Sequence, residues 1–237
     1  MATINWDETG KRFYETGIDH VVLYKGGQAV AWNGVTAVNE APTGAEITKQ
    51  YADNIDYFAL ISKEEFGLTL EAFSAPKLFN SCEGIVSLKD KCSSLAAIFD
   101  DVLVTGQARD EFGLSYRTLI GNDQEEAGTN EQDCIIHVVY NCRAGVSSKD
   151  HATINDSPEA ATLSWEITTT NLINSTGVYP AAYKGSGAAH LEIDCSKLTS
   201  AQYGKLKEAL YGTASASVTS IPTPKALYEA VTYTPTP

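Results

Sequence analysis

Apolar and polar residues alternate along the two best-patterned stretches of the chain, and a period of two marks a β-strand with one buried face. In Phe112 to Asp123, residues Phe112, Leu114 and Tyr116 alternate with Gly113, Ser115 and Arg117, and Gly121-Asn122 supplies turn chemistry at the end. In Ser157 to Thr168, Leu163, Trp165 and Ile167 share one face, with Thr162, Ser164, Glu166 and Thr168 on the other. Between Ile18 and Ala41 the runs Val21–Tyr24, Ala29–Trp32 and Val35–Val38 are separated by Gly26-Gly27 and Asn33-Gly34. Both dipeptides suit two-residue hairpin turns, which need positive φ, so this region predicts a meander.

After the break at Pro42 and Gly44, an extended stretch from Ala45 to Leu60 leads through Ser62-Lys63-Glu64-Glu65 into Phe66 to Ser74. The pattern predicts a long hairpin arm over about 44–74, turning at Ser62 to Glu65. Its returning strand carries an apolar row of Phe66, Leu68 and Leu70 opposite Gly67, Thr69 and Glu71, and Glu46, Thr48 and Gln50 form a similar polar row on the outgoing strand.

The texture changes over Ser81 to Asp101, where Leu95, Ile98 and Phe99 fall on one face of a predicted short helix. Asn122 to Asp133 holds Asp123, Glu125, Glu126, Glu131 and Asp133 with no base and reads as a solvated loop, since it lacks the alternating donors and closing acid of a calcium loop. Cys134 to Asn141 is a further strand and Asn171 to Ala189 a surface loop. Thr199-Ser200-Ala201-Gln202 fits a capping box, Tyr203, Leu206 and Leu210 make an apolar stripe, and Gly212 stands where the helix over 199–211 should stop. Beyond it lies a Ser/Thr/Pro-rich tail, 215–237, in which Pro224 to Val231 suits a short helix or a docked segment. The domain proper is thus expected over 1–214, mainly antiparallel β with one flanking helix.

Composition narrows the partners. Thirty acidic against 17 basic residues give 237 residues a formal net charge of -13, which opposes a grip on phosphates or on anionic membranes. No apolar run reaches the roughly 20 residues of a membrane span, and the N-terminal residues lack signal-peptide character, so the chain is expected to stay in the compartment where it is made. Five cysteines, Cys82, Cys92, Cys134, Cys142 and Cys195, show no framework spacing and are expected to be reduced.

Candidate chemistry is thin. His137 lies between Cys134 and Cys142, but on a strand Cys134, Ile136 and Val138 share one face and His137 points to the other. His20, His151 and His190 sit in no motif, and Glu166 is a lone acid on a polar face. There is no nucleophile elbow, P-loop or dinucleotide fingerprint, and Gly185-Ser186-Gly187 lacks the third glycine. The expectation is a protein with no catalytic residues, no metal and no cofactor.

Several phrases in order resemble the major tail protein family of long non-contractile-tailed bacteriophages. They are Tyr14 to Gly17, Val30 to Gly34, Pro42 to Glu46, Tyr51 to Ile55, Glu64 to Gly67 with Glu71 to Phe73, Phe112 to Asp123, and Asn155 to Ala160 with Ser164 to Glu166. The chain departs from the family at 81–101 and 171–189. The resemblance implies a β-sandwich or barrel of the tail-tube type, with long hairpin arms that join those of neighbours in six-fold rings stacked into a tube. Its expected partners are further copies of itself, tape-measure and tail-terminator proteins, and DNA only in transit. Its expected place is the virion tail, after assembly in the host cytoplasm.

On that reading Tyr51, Asp53, Ile55, Tyr57 and Phe66 contribute to contacts between subunits, while Glu46, Thr48, Gln50, Thr69 and Glu71 line an acidic channel. The competing reading is a monomeric carbohydrate-binding or adhesion module, which would carry aromatic platforms on its loops.

Overall fold

A computed structural model describes residues 4–92, 102–149, 153 and 160–235. The expected helical face of Leu95, Ile98 and Phe99 lies outside the described residues.

The fold is mainly β and antiparallel. β1 (Tyr14–Lys25) turns through Gly26-Gly27 into β2 (Gln28–Ala31), and β3 (Val35–Glu40) leads out to a separate hairpin of β4 (Ile47–Ala52) and β5 (Ile55–Ile61). The chain returns as β6 (Gly67–Ala72) and passes through the small pair β7 (Val86–Ser87) and β8 (Leu103–Val104), with the single-turn α1 (Leu88–Lys91) between them. β9 (Phe112–Gly121), β10 (Cys134–Ala144), β11 (Leu163–Thr169) and β12 (His190–Asp194) follow, then α2 (Ser200–Tyr211) and α3 (Pro224–Val231).

The main sheet runs β2-β1-β9-β10-β11-β6-β3, with β12 branching from β10. β2 and β3 stand at its opposite ends, although only Trp32, Asn33 and Gly34 separate them in sequence. A sheet whose two ends are joined by three residues must curl until its edges meet, which makes the enclosed interior. Asn33-Gly34 is therefore not the expected hairpin turn. It carries the chain from one edge to the other, and β3 pairs with β6 instead of β2. At this corner Gly34 has φ +83° and Trp32 Nε1 donates to Ser74 O at 2.8 Å.

Inside, Leu23, Leu68, Leu70, Leu114, Tyr116, Val139, Trp165 and Ile167 are buried together. Phe79, on the turn after β6, plugs the centre, with ring centroids 4.5 Å from Trp32 and 5.3 Å from both Trp165 and Phe112. Beside it Glu83 accepts a hydrogen bond from Trp165 Nε1, which satisfies a buried indole with a nearly buried carboxylate.

A second core lies on the opposite face of β10. Cys134, Ile136, Val138 and Tyr140 pack there against Tyr203, Leu206 and Leu210 of α2 and Leu227 and Ala230 of α3. The capping box forms as expected, with Thr199 and Gln202 satisfying each other's backbone amides, and Gly212 ends α2 at φ +82°. Pro224–Val231 also folds as a helix, and its residues belong to this core, so the tail is part of the packed body.

β9 differs from expectation, because it is buried on both faces and not one. Its small and polar residues face α2 and the tail. Gly113 lies so close to Ile221 that a Cβ there would stand 2.7 Å from the isoleucine side chain. Ser115 shares a hydrogen bond with Tyr24 Oη, which also donates to Leu210 O. Arg117 makes two 2.6 Å bonds to Asp19 and reaches Tyr203 Oη at 3.4 Å. All five cysteines are free thiols.

Two outcomes test this packing. Leu206→Ala should cost about 2–5 kcal/mol in urea unfolding as a core truncation, and Lys205→Ala, at a partly exposed position where it pairs only with Glu208 on the same helix face, should stay close to the parent. The second concerns Asp19, whose burial would raise its pKa but whose bonds to Arg117 and His20 hold it below the ordinary carboxylate value. Its folded pKa being depressed, Asp19 stabilises above the unfolded value of about 3.9, and that part is lost as pH falls through the folded value. Asp19→Asn should melt below the parent at neutral pH, with the gap narrowing in acid. An unchanged gap between neutral pH and about pH 3 would contradict the assignment.

Candidate functional site

The hairpin of β4 and β5 projects from the body and, among the described residues, hydrogen-bonds to no other strand. Its tip is Asp53-Asn54, with φ of 50° and 63°, the left-handed pair that a two-residue turn requires and that Asp and Asn tolerate. The arm is therefore shorter than expected. It turns at 53–54 and not at Ser62 to Glu65, which instead rejoin the root, where Thr43 and Glu65 exchange two 2.8 Å backbone bonds. Gly44 is needed there, since a Cβ would fall 2.2 Å from Lys63 O.

Every residue of both arm strands is exposed. Tyr51 is 70% exposed, Tyr57 62% and Ile61 69%, and Ile47, Ile55, Phe58 and Leu60 are also in solvent. Among the polar residues, Lys49 pairs with Asp56 at 2.8 Å. A hairpin with this much apolar surface on two faces gains nothing from the body that carries it.

The five residues expected at subunit contacts separate into two groups. Tyr51, Asp53, Ile55 and Tyr57 lie on the arm, while Phe66 stands at its root, half-buried and stacked on His190 with ring centroids 4.2 Å apart. The residues expected to line a channel separate as well. Thr48 and Gln50 sit opposite Leu60 and Phe58 on the arm, and Glu46 precedes them, its amide donating to Ser62 Oγ. Thr69 and Glu71 belong to β6 in the main sheet, on the face away from the core, opposite Glu166 and Ser164 of β11. The two polar rows are not hairpin partners, because the strand that pairs with Thr48 and Gln50 is β5.

A second feature was missed in the sequence. At the arm's root, Glu40 ends β3, His137 comes from β10, and His190 and Glu192 come from β12. The register sets Glu192 opposite His137 and His190 opposite Val139, so these side chains share one face. His137 does point away from Cys134, Ile136 and Val138, as the alternation requires, but it is buried, with 6% of its side chain exposed.

Its ring stacks on Tyr116 at 4.6 Å and lies 5.3 Å from that of His190. His137 Nδ1 is 3.2 Å from His190 Nε2 and 3.3 Å from Glu40 Oε1, and His190 Nε2 is 4.0 Å from the same oxygen. Tyr116 Oη donates to Glu40 Oε1 at 2.5 Å. On the other side of the ring, Nε2 lies 3.1 Å from Thr118 Oγ1. Thr118 donates its hydroxyl proton to Glu15, so its oxygen is free to accept from His137 Nε2–H, while Nδ1 faces His190 and Glu40.

Burial pulls the pKa of His190 below the usual histidine value, against the opposing pull of Glu40. The only clue in the sequence was the spacing of His190 and Glu192, two residues apart on one strand face.

Because every residue of both arm strands is exposed, removing the arm should leave the body intact. Replacing residues 46–62 with a short glycine-containing turn should keep the melting temperature within a few degrees of the parent by circular dichroism. A loss of cooperative melting would show that the arm belongs to the fold.

No family model and no curated protein matches this chain. Among solved structures it is similar to a chain of the anti-feeding prophage baseplate, with 8% identity and a TM-score of 0.34 over 70% of this chain and 95% of that one. It is also similar to a chain of the anti-feeding prophage cap, with 11% identity and a TM-score of 0.30 over 71% and 91%. A third likeness is to a chain of the sheath-tube complex of an extracellular contractile injection system in its extended state, with 12% identity and a TM-score of 0.29 over 70% and 90%. Superpositions this loose leave the argument to the chain's own residues.

Proposed function

We propose that this chain is a non-catalytic structural subunit of a phage-type tail tube, which joins copies of itself through the arm of β4 and β5. The observation that carries the reading is the exposure of Tyr51, Ile55, Tyr57, Phe58, Leu60 and Ile61 on a hairpin that, among the described residues, forms a two-stranded sheet of its own. A lone subunit with such an arm is prone to aggregate, whereas neighbouring arms paired edge to edge in a closed ring remove both the apolar exposure and the free strand edges. The ordered phrases shared with the major tail proteins of long-tailed phages support the same reading and supply the six-fold ring, the stacked tube, the tape-measure and terminator partners and a place in the virion.

In such a ring the outer face of β6 and β11 supplies the channel wall. Glu71, Thr69 and Glu166 give it a negative surface, and an acidic wall lets DNA pass without counterion-releasing contacts to its phosphates. Glu46, Thr48 and Gln50 travel with the arm, beside the apolar residues that meet the neighbour.

Negative-stain electron microscopy of the purified chain tests this directly. Rings or tubes are expected from the parent protein. Tyr57→Ser combined with Phe58→Ser and Leu60→Ser should give discrete globules with the parent's melting temperature. Monomers from the parent at high concentration, or tubes from the triple variant, would sink the proposal.

A further inference from the structure

We propose that Glu40, His137, His190 and Glu192 bind one divalent transition-metal ion of the zinc class at the root of the arm. Each of the four can offer one ligand atom within 4.8 Å of the other three. A tetrahedral ion with ligands about 2.0–2.1 Å away holds its donors about 3.3–3.4 Å apart. The separations among His137 Nδ1, His190 Nε2 and Glu40 Oε1 are 3.2, 3.3 and 4.0 Å, so the first two already match such a centre and the third must close by roughly 0.6 Å. Glu192, on the exposed side, completes the set.

The donor types select the ion. Two imidazoles with carboxylates suit zinc and its neighbours, whereas calcium and magnesium take oxygen alone. The surroundings supply the outer contacts that metal ligands use. His137 Nε2–H points to Thr118 and, at 3.6 Å, toward Glu15, which turns Nδ1 toward the site. Tyr116 orients the Glu40 carboxylate.

An imidazole binds a metal through a nitrogen that carries no proton, so His190 binds through Nε2 as the tautomer with its proton on Nδ1, 3.9 Å from Glu192 Oε1, and exchange of that one proton between the two nitrogens through water leaves charge and proton count unchanged. The bound ion would tie β3, the strand from which the arm departs, to β10 and β12. This inference stands on the cluster and not on the tube reading.

The test uses the full, untagged chain, stripped with chelator, equilibrated with zinc chloride and passed through gel filtration. One zinc per chain by elemental analysis is expected, and Co²⁺ in its place should give the intense visible bands of a tetrahedral site. His190→Gln and Glu40→Gln should each weaken zinc binding by at least about 10-fold, with His20→Gln, outside the cluster, as the unaffected control. Less than about a fifth of an equivalent of zinc on the parent would overturn the proposal, and so would variants that hold zinc as tightly as the parent. Should the variants fail to fold by circular dichroism, the parent's stoichiometry and cobalt spectrum decide, and a weak octahedral spectrum counts against the site.

Discussion

One bulge divides the labour of this fold. β10 runs between two hydrophobic cores, and a strand whose side chains strictly alternate would give each core every second residue along its length. At Asn141, with φ 49°, the register slips by one between Val139 and Cys142. Before the slip, Cys134, Ile136, Val138 and Tyr140 feed the helical core; after it, Cys142 and Ala144 join Val139 in the enclosed core. The same slip lets one edge of β10 pair with two strands, β12 along Ile135 to Val139 and β11 along Cys142 to Ala144. The sheet forks there. One branch curls over the aromatic plug at Phe79, and the other carries His190 and Glu192 to the place where the arm leaves the body.

The fork explains why ionisable groups gather at that root. In the continuous part of the sheet a residue is shielded by strands on both sides, and a polar side chain facing inward would be stranded in the apolar core. In the opening between β12 and the end of β3 no strand among the described residues fills the space with apolar side chains, and Glu40, His137 and His190 meet there. Tyr116 closes the inner boundary of the cluster with its ring against His137 and its hydroxyl on Glu40. Burial and that carboxylate push its pKa far upward, so the phenol remains a donor.

How much of this could be read in the sequence follows from which information is local. The alternation of Leu163, Trp165 and Ile167, the capping box at Thr199 and Gln202, the stripe of α2 and the helix over Pro224–Val231 depend on near neighbours, and each forms as read. Asn33-Gly34 has the chemistry of a hairpin turn, yet hairpin chemistry states only that the chain bends there, not which strand lies opposite. Gly113, Ser115 and Arg117 looked like a solvent face because polarity was taken for exposure. Their burial depends on Tyr24, Ile221, Tyr203 and Asp19, distant partners that fill or neutralise each position. Beyond the two-residue spacing of His190 and Glu192 the cluster has no local signal, since the meeting of His137 and His190 is decided by the pairing of β10 with β12 across the long loop between β11 and β12. The arm's turn was misplaced because Asp53-Asn54, embedded in extended sequence, is a quieter mark than the charged cluster at Ser62 to Glu65.

Charge sets the terms on which such an arm can work. At -13 per chain, copies of this protein repel one another, and within a ring the repulsion would act over a screening length of about 8 Å at physiological salt. In the proposed ring, association would therefore have to come from short-range contacts that outweigh it where the chains touch. The arm is built in that manner: Ile47, Tyr51, Ile55, Tyr57, Phe58, Leu60 and Ile61 supply apolar area, while Lys49 neutralises Asp56 within the same hairpin. The acids of Asn122 to Asp133 lie elsewhere on the body, and Asp123 there is occupied in receiving the amides of Gly10 and Arg12. In the proposed ring, an acidic body would keep subunits apart except where the apolar arm brings them together, and that arm is held to the body at its root by two backbone bonds between Thr43 and Glu65.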